Sequence, residues 1–314
     1  MPSEPRPAFA SPHFRIERLA DGVYGAIATH SGAATSNAGI VDLGESTLVF
    51  DTFLTPVAGA DLRAAAERLT GRPPTLVVNS HYHNDHIRGN QHFAGASIVA
   101  TRRTAELLRT KGEEELASDR TETGQALELY LTGQRPKDRD YDFWVSYLRA
   151  ILESLPEVRI QPPTVLFEGR LTVSGTRRTA EVLSYGGGHS GSDTFVFLPE
   201  EKVAFLGDLL FVRHHPYLGD GEPGELVRAL ARIEELEPAL LVPGHGPVGD
   251  LEDLRSNRRY VEELTRLARD AVEQGRTPDE AAATPIPAAF AEWGYQRFFA
   301  ANMRFLWAHA KRPA

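Results

Sequence analysis

The residues of this chain that can do chemistry gather in four short stretches. The densest is HYHNDH at 81–86, which places His81, His83, Asp85 and His86 directly after the apolar run TLVVN. If the backbone stays extended, the imidazoles at 81 and 83 project the same way, while Asp85 and His86 come after the chain has turned. One loop can then serve two metal ions, at the mouth of a buried strand where sheets of this kind carry their sites. The second stretch is GGGHSGSD at 186–193, whose three glycines let backbone approach closely around His189. In FLGDLLF at 205–211 a lone carboxylate, Asp208, ends an apolar strand, and PGHG at 243–246 holds His245 between proline and glycine.

Each piece alone has an ordinary explanation. A single histidine is usually a satisfied polar side chain, and His13, His30, His92 and His309 are read that way. A lone Gly-Asp or Pro-Gly-His-Gly is usually a turn. Four titratable groups within residues 81–86 are different, because burying them unpaired at a strand end would cost several kcal/mol. A divalent cation removes that penalty.

The elements that must position these groups follow from the apolar pattern. From Phe14 to Asp51 the runs FRIERL, VYGAIA, NAGIVDL and STLVFD read as antiparallel strands separated by Asp-Gly and Gly-Glu turns. A helix is expected from Pro56 to about Leu69, strands at 75–80 and 97–100, and a further helix from Thr101. Residues 101–156 carry helical spacing broken near 133–136, which makes a helical insertion. After Pro162-Pro163 the strands resume as TVLFEG, LTVSG, RTAEVLSYG, DTFVFLP and KVAFLGD, the first pair joined by a Glu-Gly turn of hairpin type. Helices at about 224–236 and 250–275, then a stretch ending near His309, complete a C-terminal helical extension over 250–314.

Two successive sets of strands and helices with no long linker suit one α/β domain over 14–314, an αββα sandwich of two sheets packed face to face. Residues 1–13 are expected to be a disordered N-terminal segment. Aromatic stripes in the insertion (Tyr130, Tyr141, Phe143, Trp144, Tyr147) and near the C-terminus (Trp293, Tyr295, Phe298, Phe299) are read as core, with a lid over the site as the alternative.

Composition narrows the function. Of 314 residues 41% are apolar and 25% charged, an ordinary globular balance. With 34 Lys plus Arg against 43 Asp plus Glu the net charge is −9, which disfavours nucleic acid as a partner. There is no cysteine, so thiolate nucleophiles and cysteine zinc sites are excluded and any metal must be held by His, Asp or Glu. No apolar h-region or run of ~18 apolar residues occurs, so the expectation is a cytoplasmic protein without membrane association. A small-molecule substrate is the expected partner, and a homodimer the common default.

HxHxDH, a later histidine in a glycine-rich loop, an aspartate after a strand and a histidine in PGHG occur here in the order and rough spacing of the metallo-β-lactamase superfamily, which the chain resembles over about residues 15–250. The resemblance implies the αββα fold and two divalent ions, Zn2+ first with Mn2+ or Fe2+ as alternatives. By it, His81, His83 and His189 hold one ion, Asp85, His86 and His245 the other, and Asp208 bridges them. A metal-bridged hydroxide would then cleave an ester, thioester, lactone or related bond. Asp85 and Asp208 are the catalytic carboxylates, Asp85 orienting the nucleophile or moving a proton. Asp208 stands where the best-known zinc β-lactamases place Cys; this resembles glyoxalase II and other thioester, lactone and phosphodiester hydrolases of the superfamily. Two rival readings remain: a mononuclear iron persulfide dioxygenase using His81, His189 and Asp208, and β-lactam hydrolysis. The segment after Asp208 is expected near the site, with His214, His215 and Tyr217 as candidate substrate contacts.

Overall fold

The computed structural model describes residues 9–312. Strands β1 (Phe14–Ala20), β2 (Val23–Ala28), β3 (Ala38–Asp42) and β4 (Thr47–Phe50) form an antiparallel meander. Strands β5 (Leu76–Val78), β6 (Ser97–Thr101) and β7 (Val165–Phe167) extend it in parallel to seven strands. The second sheet contains β8 (Arg170–Ser174), β9 (Thr179–Gly186), β10 (Asp193–Leu198), β11 (Val203–Phe211) and β12 (Leu240–His245), in the order β12-β11-β10-β9-β8. Its members are antiparallel except for the β11–β12 pair.

Central strands are apolar on both faces because both faces are covered. On β4, Leu48 and Phe50 point between the sheets while Val49 points out; on β11, Val203 and Phe205 point in while Ala204 and Leu206 point out. The outer face of the first sheet packs on α1 (Pro56–Thr70), through Ala58, Leu62, Ala65 and Leu69. That helix starts at the Thr55 cap with Pro56 in its first turn and stops at left-handed Gly71. The second sheet is covered by α6 (Pro223–Glu234), α7 (Leu251–Glu273) and α9 (Arg297–Ala310), through Leu226, Leu230, Val261, Leu264, Met303 and Leu306. The short helix α8 (Pro278–Ala282) bridges α7 and α9. This is the αββα sandwich with the extra C-terminal helices expected. No helix among the described residues is long and apolar enough to cross a membrane.

The insertion begins where Thr101 caps α3 (Arg102–Leu107), runs through a π-helical turn at Leu108–Gly112 into α4 (Glu113–Leu131), breaks, and returns as α5 (Tyr141–Ser154). It is the crossover that lets β7 run parallel to β6.

Two expectations fail. The Glu168-Gly169 turn does not close a hairpin, because β7 pairs with β6 in one sheet and β8 with β9 in the other. The chain changes sheets there, aided by Gly169 at φ 65°, and the hydrophobic pattern of two short strands cannot distinguish that from a hairpin. The disordered N-terminal segment is also too long as drawn. Residues 1–8 lie outside the described residues, but Phe9 stacks on Phe14 at 6.1 Å between ring centroids and the Ser11 hydroxyl donates to Asp61 at 2.7 Å. Apolar contact and a hydrogen bond order residues 9–13 despite Pro12.

Gly39 marks a close approach of the two sheets, since a Cβ there would lie 2.5 Å from the Phe205 ring. Gly39→Ala should therefore lower stability by about 1–3 kcal/mol through overpacking. Gly124→Ala, on the exposed side of α4 with nothing within 4 Å, should raise it by about 0.4–1 kcal/mol. Urea unfolding of the two variants reads both signs; a Gly39→Ala protein as stable as the parent would mean the sheets can part at no cost.

Candidate metal centre

All seven expected ligands meet at one edge of the sandwich. After β5 the chain continues extended through His81 to His83, whose ψ of 149° precedes the single turn α2 (Asn84–Ile87) that contains Asp85 and His86. His189 sits in the β9–β10 loop, where Asp193 accepts from the Ser190 amide and, at 2.7 Å, from the Ser190 hydroxyl. His245 ends β12. Its turn is held by Asn37, whose side-chain amide donates to the carbonyls of Pro243 (3.0 Å) and Gly246 (2.8 Å). Asp208 lies inside β11 and not at its end; pairing with β12 shifts register on either side of it, and the strand runs on to Phe211. Gly244 makes room, because a Cβ there would sit 1.9 Å from Asp208 Oδ1.

The donor atoms fall into two sets, His81, His83, His189 and Asp208 in one and Asp85, His86 and His245 in the other, with Asp208 Oδ1 turned toward the second. In the first, the Nε2 atoms of His81 and His189 lie 2.9 and 3.0 Å from His83 Nδ1, and His189 Nε2 lies 3.2 Å from Asp208 Oδ2. In the second, the Nε2 atoms of His86 and His245 lie 3.1 and 3.3 Å from Asp208 Oδ1 and 3.7 and 3.4 Å from Asp85 Oδ2. His86 Nε2 and Asp208 Oδ1 are buried with no hydrogen-bond partner. Imidazole nitrogens packed this closely with orphaned acceptors could hold a divalent cation, and carboxylate with imidazole suits Zn2+, Mn2+ or Fe2+.

Electrostatics differ from ring to ring: burial opposes protonation of His86, but Asp208, Asp85 and Asp51 outweigh it and raise its pKa well above the ordinary value. Burial, with the neighbouring imidazoles, lowers the His81 pKa well below its ordinary value, and burial takes His189 to about 3. Both rings therefore stay neutral and keep a lone pair. Burial opposes ionisation of Asp208, but His245, His86 and His189 outweigh it and hold the carboxylate well below its usual range.

A second layer fixes which nitrogen of each ring faces inward. Buried Asp51, at φ 56°, accepts from His86 Nδ1 at 2.7 Å and from the Ser80 amide and hydroxyl, both at 2.7 Å. The Ser80 oxygen in turn lies 2.9 Å from His81 Nδ1, so one carboxylate sets the tautomers of two ligands. Asp220 accepts from His83 Nε2 at 3.2 Å and from Lys111 Nζ at 2.9 Å, which ties the helical insertion to a ligand. Hydrogen bonding to His83 holds the Asp220 carboxyl below its ordinary range. The His245 ring stacks on Phe211 at 4.7 Å.

Asp51, Asn37, Lys111 and Asp220 were not legible beforehand. Asp51 ends the apolar run STLVFD just as Asp208 ends KVAFLGD, which is the one signal available for it. Asp220 sits in a Gly-rich turn and Lys111 on a charged helix, with nothing local to mark them.

His83, Asp85, His189, Asp208 and His245 form the floor of a cavity of about 540 Å³. Phe143, Trp144, Tyr147, Tyr295 and Phe298 line its wall, so these aromatics serve as site wall as well as packing among themselves, whereas Trp293 and Phe299 belong to the core. Of the three candidate substrate contacts only Tyr217 lines the cavity, its ring 6.2 Å from that of His83. His215 is fully buried beneath Tyr260, whose hydroxyl is 3.0 Å from its Nδ1. His214 turns its Nδ1 to the Val212 carbonyl at 2.8 Å. Neither lines the cavity, because β11 carries the chain past the site and into contact with the C-terminal residues. Glu115, from α4, brings a half-buried carboxyl to the wall that burial pushes up to about 7.

The family profile of the metallo-beta-lactamase superfamily matches residues 31–245, a span containing every ligand named above. Solved structures of the same fold include the metallo-beta-lactamase from Pontibacter korlensis, 20% identical over 80% of this chain and 99% of that one, with a TM-score of 0.57. That from Erythrobacter litoralis, carrying β-mercaptoethanol in its active site, is 16% identical over 81% and 98%, with a TM-score of 0.59. That from Hirschia baltica is 16% identical over 79% and 97%, with a TM-score of 0.56. At these identities the likeness carries the fold. Members of the superfamily are generally metal-dependent hydrolases. The sandwich, the two donor sets and the profile agree: the chain belongs to the metallo-β-lactamase superfamily.

Proposed function

We propose that this protein is a dinuclear metal hydrolase, most simply of zinc, acting on a small molecule with an ester, thioester or lactone bond. The observation that carries the reading is the division of Asp208: Oδ2 faces His189 at 3.2 Å while Oδ1 faces His86 at 3.1 Å and His245 at 3.3 Å. His81, His83 and His189 would hold one ion, Asp85, His86 and His245 the other, with Asp208 common to both. Such ions, when bound, supply positive charge that acidifies water and polarises the acyl oxygen. The completeness of the second set favours this over a mononuclear iron dioxygenase, which needs only two histidines and one carboxylate.

The chain's own residues do the rest. Asp85, lining the cavity floor, accepts a hydrogen bond from the attacking water and carries its proton toward the leaving group. Asp51 and Asp220 keep His86, His81 and His83 turned inward, so that no ring must reorient during turnover. The aromatic wall displaces water and packs against the apolar part of the substrate. The β-lactamase names of the structural neighbours make β-lactams the second substrate class to assay.

Protein expressed with both zinc and iron supplied should contain about two zinc or manganese ions per chain by elemental analysis. One iron per chain, with nothing else bound, would transfer the reading to oxygen chemistry. Asp208→Ala should lose activity toward ester, thioester and lactone substrates together with metal retention; a fully active variant would remove the bridging role. Asp220→Asn should weaken metal retention or activity by about 10–100-fold. Chelator competition reads the first of these directly, and an unchanged affinity with unchanged activity would leave Asp220 without a positioning role.

A further inference from the structure

The ligand loop and the helical insertion meet at one carboxylate. The single turn α2, which carries Asp85 and His86, is four residues long and is closed by the Arg88 amide donating to the Asn84 carbonyl. A turn that short has little stability of its own and takes its shape from its contacts. Toward the sandwich those contacts fall on its carbonyls: the Thr52 amide donates to the His86 carbonyl at 2.9 Å, and the Ser36 hydroxyl to the Asp85 carbonyl. Toward the cavity both ends of the turn lead to Asp119 of α4. Asn84, the first residue of the turn, donates through Nδ2 to Asp119 Oδ2 at 3.5 Å, and Arg88, which follows its last, forms an ion pair with the same oxygen. Asp119 Oδ1 accepts from the Thr123 hydroxyl, one turn further along α4, at 3.4 Å.

Arg88 is the bulkiest of the fully buried side chains, 1% exposed, and Asp119 is its one ion-pair partner among the described residues. Its Nη1 has no hydrogen-bond partner at all. Of the 19 residues of α4, Leu116, Thr123 and Tyr130 are the buried ones. Apolar contact therefore anchors this helix at few points. The ion pair anchors it firmly, because separating the two would leave an uncompensated guanidinium in the interior. Held in this way, α4 presents Glu114, Glu115, Ser118 and Asp119 to the cavity. His83, of the first donor set, has a tie of its own: Asp220, bound in turn by Lys111 from the π-helical turn before α4. Each donor set thus leans on the insertion through a different carboxylate.

We propose that Asp119 is a positioning residue for the second donor set: through Asn84 and Arg88 it holds the turn that aims Asp85 and His86, so that affinity for the second ion depends on the docking of the insertion. Asp119 bonds to neither ligand itself, and acts by fixing the residues on either side of them. Without its charge the guanidinium is released, the turn loses its hold on the cavity side, and Asp85 and His86 lose their aim, while the Asp220 tie to the first set stays in place. The inference rests on the dinuclear reading, because it concerns the second ion alone.

The test is a zinc titration of the metal-free full chain in competition with the chromogenic chelator 4-(2-pyridylazo)resorcinol, which requires no turnover. Asp119→Asn should weaken one of the two zinc ions by about tenfold or more and leave the other within about twofold. Asp119→Glu, which keeps the charge but moves it by one methylene, should fall between. In a His245→Ala background, already short of a second-set ligand, Asp119→Asn should leave the remaining ion within about twofold. Equal weakening of both ions, or weakening of the remaining ion in the His245→Ala protein, would show that Asp119 only braces the fold. An unchanged titration would show that the turn keeps its aim unaided; each of these results overturns the proposal. Circular dichroism of the metal-free variants checks folding, and if Asp119→Asn does not fold, Asp119→Glu carries the same comparison. An unsubstituted chain that takes up a single zinc removes the dinuclear reading and this inference with it, whereas two zinc ions in the parent and no effect of Asp119→Asn removes this inference alone.

Discussion

The Asp208 carboxylate, buried among imidazoles between the two sheets, is the constraint to which the rest of the site conforms. A charge in that position is costly unless opposite charge lies on both of its oxygens, and four histidines from three separate segments approach it. Two of those rings are held neutral by burial, whereas Asp208, Asp85 and Asp51 outweigh burial at His86 and raise its pKa, so without a cation the charge of Asp208 is met on the His86 side and not on the His81 and His189 side. The chain then spends further buried polar groups on orienting the rings: Asp51 and Ser80 beneath two of them, Asp220 beside a third.

The sandwich is what makes this convergence affordable. Every ligand-bearing loop leaves the same edge of the two sheets, and the loops are stitched to one another through backbone. The Thr194 amide donates to the Ser80 carbonyl at 2.8 Å, and the Asn37 amide to the Gly244 carbonyl at 2.7 Å. The close approach of Phe205 to Gly39 sets the separation of the sheets just behind the site. A tightly packed interior has few alternative arrangements, so ligand positions are inherited from the core.

The two ends of the site have different origins. The candidate ligands come from strands and loops of the sandwich, whereas the cavity wall comes largely from the insertion and from the residues preceding and opening α9. Tyr295, at φ 59°, is held in a conformation unfavourable for a large side chain, between His245 and Trp144. That division separates the candidate metal centre, which lies within the span matched by the superfamily profile, from a cavity wall built largely by the insertion and the start of α9.

What the sequence by itself determined was the local chemistry. HxHxDH, the glycine-rich loop around His189, Asp208 and PGHG declare metal-ligand types at the ends of apolar strands, and strand and helix periodicity declares a two-sheet sandwich. Both are short-range properties: spacing within a loop, and alternation along a strand. The tertiary structure alone decided which sheet each short strand joined, so that the Glu168-Gly169 turn became a crossing between sheets. It likewise decided that His214 and His215 pass the cavity, while Lys111, Asp220 and Arg297 reach its wall. These outcomes depend on contacts between residues up to about two hundred positions apart, such as Asn37 with Gly246. A hydrophobic pattern states that a side chain is covered, and only the folded chain states by what.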